Sequence, residues 1–479
     1  MSWHPAIGDY KQQLPRIAVI AAMFAAAAVL IGLHQQRGGM PSDRWYRLSR
    51  QQVMEADLSW RMGEALEQFH VGGALGGADA ARQMRERAIA GWERRALARR
   101  PSHAAALRLG VIYGHRGYAE QSAEMLALAA SLDEENSEYY HALAEVYADE
   151  SVSEDRLQAK AALIASREGW LTDLVLVDVH RRLGPEGGLG AVEAQRRARS
   201  VRFAAGLLGV GTVTGLLLAL GVVTIVVLIF RKGLRLSEPK ARLPFMVPWT
   251  VIDAIEAVAV LLFVMVAGGL ATSLLLGELL NPEDWPLGRP ILMGIQYLLV
   301  SGVTIAVIWH RMGPRASRPL RVLGVRAKRA LRLIGTGLTG YGAFLTGMLA
   351  IAALLGRLIG DAMPLAQSTE EIIGSAQSAG EIAIYFVLVC VFAPVFEELI
   401  FRGYVYAGLR RIMSVRTAII SGAAIFAAVH LNAEAFLVVG LIGALLCYLY
   451  ERTRSLIPGI IAHGVHNGLV LAVMLLQST

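Results

Sequence analysis

The chain alternates between long uninterrupted apolar runs and one extended polar stretch. A helix crossing a hydrocarbon core of roughly 30 Å needs about 20 mostly apolar residues, so runs of that length with charged flanks mark candidate membrane spans. Nine such runs stand out, at about 17–33, 203–230, 251–275, 290–309, 332–356, 381–404, 416–433, 435–450 and 457–476. From His34 to about Arg199 the apolar runs vanish, and Ala, Glu, Arg and Leu dominate. The pattern predicts an all-α, polytopic helical membrane protein with an inserted soluble helical domain. Its expected parts are an N-terminal anchor (1–33), the soluble domain (34–199), transmembrane helices preceding the core (200–356) and a terminal four-span block (380–476). The first run follows Lys11 and Arg16 and precedes Arg37; it reads as an uncleaved anchor rather than a signal peptide.

The polar stretch repeats weakly. Leu109, Gly110 and Tyr113 recur as Leu143, Ala144 and Tyr147, an offset of 34 residues, which is the helix-turn-helix period of tetratricopeptide repeats. Ala88 and Trp92 occupy small and large packing positions of an earlier copy that Pro101 closes. The expectation is two or three degenerate, TPR-like repeats; an Ala-rich helical bundle is the alternative. No paired catalytic groups stand out in this stretch, so it reads as an interaction surface with a protein partner.

Composition supports the membrane reading. Of 479 residues, 55% are hydrophobic and only 18% charged, with a mean hydropathy of +0.47, too apolar for an ordinary soluble enzyme. The net charge of +7 sits in short runs flanking apolar stretches, which points to the lipid bilayer and to orientation, not to nucleic acid. The loops alternate: Arg231 to Arg242 is basic, Glu278 to Asp284 acidic, Arg311 to Arg329 basic and Asp361 to Glu381 acidic. Positive loops stay in the cytoplasm. This places the N-terminus in the cytoplasm of a cell (inner) membrane protein, with residues 34–199 and the C-terminus outside. The run Arg196, Arg197, Arg199, Arg202 works against that orientation. The two cysteines, Cys390 and Cys447, lie in apolar runs and suggest neither a disulfide framework nor a metal knuckle.

Ionisable residues inside a span are costly and carry a functional hypothesis by default. Three clusters matter. In Phe396-Glu397-Glu398-Leu399-Ile400-Phe401-Arg402-Gly403, Glu398 and Arg402 share a helix face while Glu397 points about 100° away. One carboxylate can then pair with the guanidinium, leaving the other to take a proton from water. In Phe426 to His430 an aromatic residue precedes a histidine by one turn; a helical hairpin about Ser414, flanked by Arg410, Arg411 and Arg416, would bring His430 to the depth of Glu398. In His463-Gly464-Val465-His466-Asn467, His463 and Asn467 share a face and can donate hydrogen bonds to an oxyanion, or His463 can ligate a metal. His466 reads as a packing residue, and Gly464 permits close helix approach.

Glu397-Glu398 with Arg402, Phe426 with His430, and His463 with Asn467 resemble the ordered motifs EExxxR, FxxxH and HxxxN of the family of CAAX prenyl endopeptidases and bacteriocin-processing proteins. The sequence Phe401-Arg402-Gly403-Tyr404, the basic hairpin after it and Ile457-Pro458 are similar to bacterial members. The resemblance covers roughly 380–476 and does not reach 34–199. It implies peptide-bond hydrolysis within the membrane by an activated water, on a membrane-embedded or membrane-anchored protein or peptide. Glu397 would be the general base and His430 would hold the water. Glu398 and Arg402 would position the site, and His463 and Asn467 would stabilise the oxyanion. The resemblance leaves two mechanisms open: a metal-free glutamate peptidase, or a zinc site of Glu398, His430 and His463, although HExxH is absent. Two further readings are a non-catalytic adaptor or immunity-type protein that binds a partner through the repeats, and a transporter using the buried Glu, His and Arg as a relay.

Overall fold

The computed structural model describes residues 10–37, 44–68, 77–148, 152–167, 169–184, 188–230, 245–279, 287–312, 316, 318–359, 378–433 and 435–478. The fold is all-helical, with no strand among the described residues. The chain divides into two compact units, one formed by Met1–Met40 and Thr212–Ala472 and the other by Pro41–Gly211 and Val473–Thr479.

In chain order, α1 (Tyr10–Arg37) opens the first unit. The polar stretch forms α2 (Arg44–Gln68), α3 (Gly77–Ala96), α4 (His103–His115), α5 (Ala119–Leu132), α6 (Ser137–Ala148), α7 (Glu154–Ala165) and α8 (Trp170–Leu183). Helix α9 (Leu189–Phe230) follows as one continuous element through the expected domain boundary at 199. The chain continues with α10 (Val251–Leu279), α11 (Gly288–Met312), α12 (Ala330–Ile359), α13 (Ala379–Leu409), α14 (Val415–Val429) and α15 (Phe436–Thr453) of the first unit, and with α16 (Ile457–Ser478), which belongs to that unit as far as Ala472.

Among the described residues, seven helices are long and apolar enough to cross a membrane: α9 to α13, α15 and α16. The other two expected spans correspond to shorter apolar segments, Leu14–Leu30 in α1 and Val415–Val429 in α14. The chain is therefore a multi-pass membrane protein. Most of the charged loops used to orient it (231–244, 280–286 and 360–377) lie outside the described residues. Helix α1 is tied into its unit by charge: Arg16 pairs with Asp253 and Glu256 of α10, and Arg311 of α11 closes on Glu256 at 2.5 Å.

In the second unit, helices that follow one another in the chain pack as neighbours. Helices α4 and α6 begin 34 residues apart, at His103 and Ser137. Gly110 lets α5 close on α4: a Cβ there would stand 2.5 Å from Leu126, and Ser122 Oγ donates to the Gly110 carbonyl at 2.7 Å. Three indoles form the base of this core, Trp60, Trp92 and Trp170, with centroids 5.7 to 6.3 Å apart. Trp92 donates to Asp57, which also receives Arg108. The basic run on α9 is half neutralised, because Arg196 pairs with Glu64 and Arg199 with Asp173 at 2.6 Å. Nearby, Arg61 donates to the Leu476 carbonyl at 2.8 Å and lies over the Phe203 ring; burial lowers its pKa to about 10, so it stays charged at neutral pH.

Gly110→Ala is expected to force α4 and α5 apart and to destabilise the second unit by about 1–3 kcal/mol, read as an earlier thermal transition in the tryptophan fluorescence of the purified protein.

Candidate active site

The site is built on α13, and α13 is irregular for a sequence reason. It starts on a capping box in which the Ser378 hydroxyl accepts from Glu381 N–H and the Glu381 carboxylate accepts from Ser378 N–H. It then passes through a π segment at Val387–Phe392, an α segment at Ala393–Glu397 and a second π segment at Glu398–Tyr406. In the first π segment Ala393 N–H bonds the Leu388 carbonyl, five residues back. In that register the Val389 carbonyl would be served by residue 394, which is proline and has no N–H. A buried carbonyl without a donor is expensive. Asn467 of α16 supplies the donor, its Nδ2 reaching Val389 O at 2.8 Å. Gly464 lets the two helices come this close, since a Cβ there would lie 2.7 Å from the Cys390 carbonyl.

At the next turn the two adjacent glutamates part company. Glu398 is fully buried and bonds Arg402 at 2.7 Å, and Arg402 is fully buried too. The guanidinium also donates to the Gly443 carbonyl of α15 at 3.2 Å and stacks 4.2 Å over the Phe426 ring of α14. Helix α16 can pass only because residue 459 is glycine: a Cβ there would stand 2.4 Å from Glu398 Oε2. Glu397 instead turns toward a partly open space. Its Oε2 has no hydrogen-bond partner and faces His463 Nε2 at 3.8 Å, while His463 Nδ1 stands 3.4 Å from Glu398 Oε1. These imidazole contacts are ion-pair distances without hydrogen-bond geometry.

His430 closes the end of α14. Its Nδ1 lies 2.7 Å from the Phe426 carbonyl. A carbonyl only accepts, so Nδ1 carries the hydrogen and Nε2 of the neutral ring keeps a free lone pair. Phe426 adjoins both imidazoles, with ring centroids 4.7 Å from His430 and 5.9 Å from His463. His466 bonds the Tyr341 hydroxyl at 3.1 Å, away from the carboxylates.

The fold thus brings Glu397, Glu398, Arg402 and His463 into one cluster, adds His430 through Phe426, and uses the Asn467 amide on the α13 backbone. Among the described residues no three His, Cys, Asp or Glu side chains are grouped so as to hold a metal ion. Of the expected zinc ligands, Glu398 carries a guanidinium on Oε1. Sequence reasoning missed Tyr297 of α11, whose hydroxyl lies 3.4 Å from Glu397 Oε1 and 3.4 Å from the Ala393 carbonyl. A tyrosine in an apolar run carries no motif, and only its position relative to Glu397 singles it out.

Asn467→Leu, which keeps bulk but removes the donor, is expected to leave the Val389 carbonyl unserved and to cost about 1–3 kcal/mol. Thermal unfolding in detergent reads that loss, and an unchanged midpoint would count against this use of the amide.

No curated protein and no solved structure matches the chain. One family model does, over residues 379–469, and its description is Type II CAAX prenyl endopeptidase Rce1-like. The matched segment runs from the capping box of α13 to the middle of α16 and contains every carboxylate, imidazole and guanidinium of the cluster. Residues 379–469 therefore belong to the Rce1-like family of type II CAAX prenyl endopeptidases, the CAAX-type intramembrane proteases.

Proposed function

We propose that this protein is an intramembrane endopeptidase in which Glu397 activates water for attack on a peptide bond. The observation that carries the reading is the unequal fate of the two glutamates: both keep a buried Oε2 without a hydrogen-bond partner, but Glu398 gives its Oε1 to Arg402, whereas Glu397 has no guanidinium beside it and turns its Oε2 toward His463. A water seated beside that 3.8 Å gap reaches both groups at hydrogen-bond distance. Glu397 takes a proton from this water as its oxygen adds to the substrate carbonyl. The imidazole of His463 stabilises the tetrahedral oxyanion as an N–H donor, and His430, whose Nδ1 hydrogen is committed to the Phe426 carbonyl, holds the water through its Nε2 lone pair. The C–N bond then breaks, and the proton held by Glu397 passes to the leaving amine. Asn467 contributes by holding α13 and α16 together where His463 must meet Glu397.

The substrate class is a membrane-embedded or membrane-anchored protein or peptide of CAAX-like character, which fits a base housed among apolar helices. The second unit is the recruiting surface, a TPR-like array that binds a protein partner; the 34-residue offset between α4 and α6 supports that reading. The N-terminus is cytoplasmic and this unit extracytoplasmic. The pairing of Arg196 and Arg199 with acidic partners weakens the one basic run that opposed such an orientation.

Cleavage of quenched, membrane-anchored peptides by the purified protein tests the mechanism. Glu397→Gln is expected to lower kcat by about 10²–10⁴-fold, His430→Ala to lower it as well, and chelators to leave it unchanged. Wild-type rates in both variants would remove the site assignment, and loss of activity with chelator would replace the glutamate mechanism by a metal-bound water. Orientation is tested by Glu120→Cys, at an exposed position of α5: a membrane-impermeant maleimide is expected to label it on intact cells, against the parent protein whose cysteines, Cys390 and Cys447, lie within spans. Labelling only after lysis would invert the topology.

A further inference from the structure

Helix α11 lies outside the matched segment and carries none of the three motifs, yet Tyr297 is the only described side chain whose hydrogen bond to Glu397 the structure records. Its hydroxyl is 3.4 Å from Glu397 Oε1 and equally far from the Ala393 carbonyl, one turn earlier on α13. The phenol ring packs beside Phe396, centroid to centroid 6.4 Å, and Phe396 in turn stacks on Phe392. Ser301, buried one turn further along α11, lies against the same phenol oxygen. Glu397 Oε1 and the Ala393 carbonyl only accept, so the phenol is the donor in both contacts.

A glutamate has three rotatable side-chain bonds, and a free one would sample several rotamers. Glu397 has no guanidinium to hold it, because Arg402 is committed to Glu398. We infer that Tyr297 is a positioning residue for the reaction: its hydroxyl holds Glu397 Oε1, so that Oε2 stays directed at His463 and at the water to be activated. This role rests on the peptidase reading. The hydroxyl acts through the carboxylate, and the long separation leaves room for it to tighten as charge redistributes in the transition state.

Tyr297→Phe deletes the hydroxyl and keeps the ring against Phe396. With the quenched membrane-anchored peptides, kcat is expected to fall about tenfold or more while KM stays within about twofold. The carboxylate infrared band assigned to Glu397 by difference against Glu397→Gln is expected to shift in Tyr297→Phe, a signature that lost packing would not produce. If Glu397→Gln is inactive but Tyr297→Phe has the wild-type kcat and an unmoved band, the role given to Tyr297 is overturned and the peptidase reading stands. If kcat and thermal midpoint fall together with the band unmoved, Tyr297 is a packing residue and the inference fails. A Glu397→Gln variant with wild-type kcat overturns the peptidase reading itself, and the role of Tyr297 with it.

Discussion

Two full charges buried among apolar helices, Glu398 and Arg402, organise the transmembrane core. Moving an ion out of water carries an effective penalty of several kcal/mol even in relaxed proteins. The pair offsets it only as far as its other polar valences are met. The guanidinium reaches Glu398, the Gly443 carbonyl and the face of Phe426, which recruits α13, α15 and α14 to one point, while its Nε and Glu398 Oε2 have no hydrogen-bond partner. Helix α16 completes the enclosure, and it fits because residue 459 has no Cβ. Removing either charge alone strands the other, a loss of about 3–5 kcal/mol in typical buried pairs. The ion pair is thus a constraint on four helices at once.

The adjacent glutamate inherits its character from that constraint. With Arg402 consumed, Glu397 has no counter-ion of its own and meets only a phenol on one side and an imidazole on the other. Its surroundings therefore differ from those of Glu398 in lacking a guanidinium. The imidazoles are prepared in a similar way: His430 has its Nδ1 fixed by its own helix, while His463 is wedged between the two carboxylates.

Proline is the second organiser. Pro394 breaks the donor series of α13, the helix answers with a π register, and the unserved Val389 carbonyl is met by Asn467 from α16. π segments carry an extra residue per turn, which rotates the residues beyond them and leaves backbone groups open to side chains. The same opening recurs lower on α13, where the Tyr404 carbonyl accepts from Trp249 Nε1 at 3.0 Å with the two rings stacked. Irregular backbone inside a membrane is tolerated where neighbouring helices satisfy it, and here those neighbours bring His463 and Asn467 with them.

The helical class, the membrane setting and the membership of the segment around the three motifs were legible in the sequence, because hydropathy reports the solvent and because the i, i+4 spacing of Glu398 and Arg402 already implies a shared face. The polar stretch stands apart in the sequence by its lack of apolar runs, and its helices α4 and α6 begin 34 residues apart. Spacing along one helix says nothing about what stands opposite, so the meeting of His463 with both glutamates, the need for glycine at 459 and the nearness of Tyr297 were decided by tertiary packing alone. The Asn467 amide shows the limit best. One turn from His463 it reads as a donor to substrate, but the demand of a carbonyl orphaned by Pro394, more than seventy residues away, becomes visible only when α13 and α16 lie side by side.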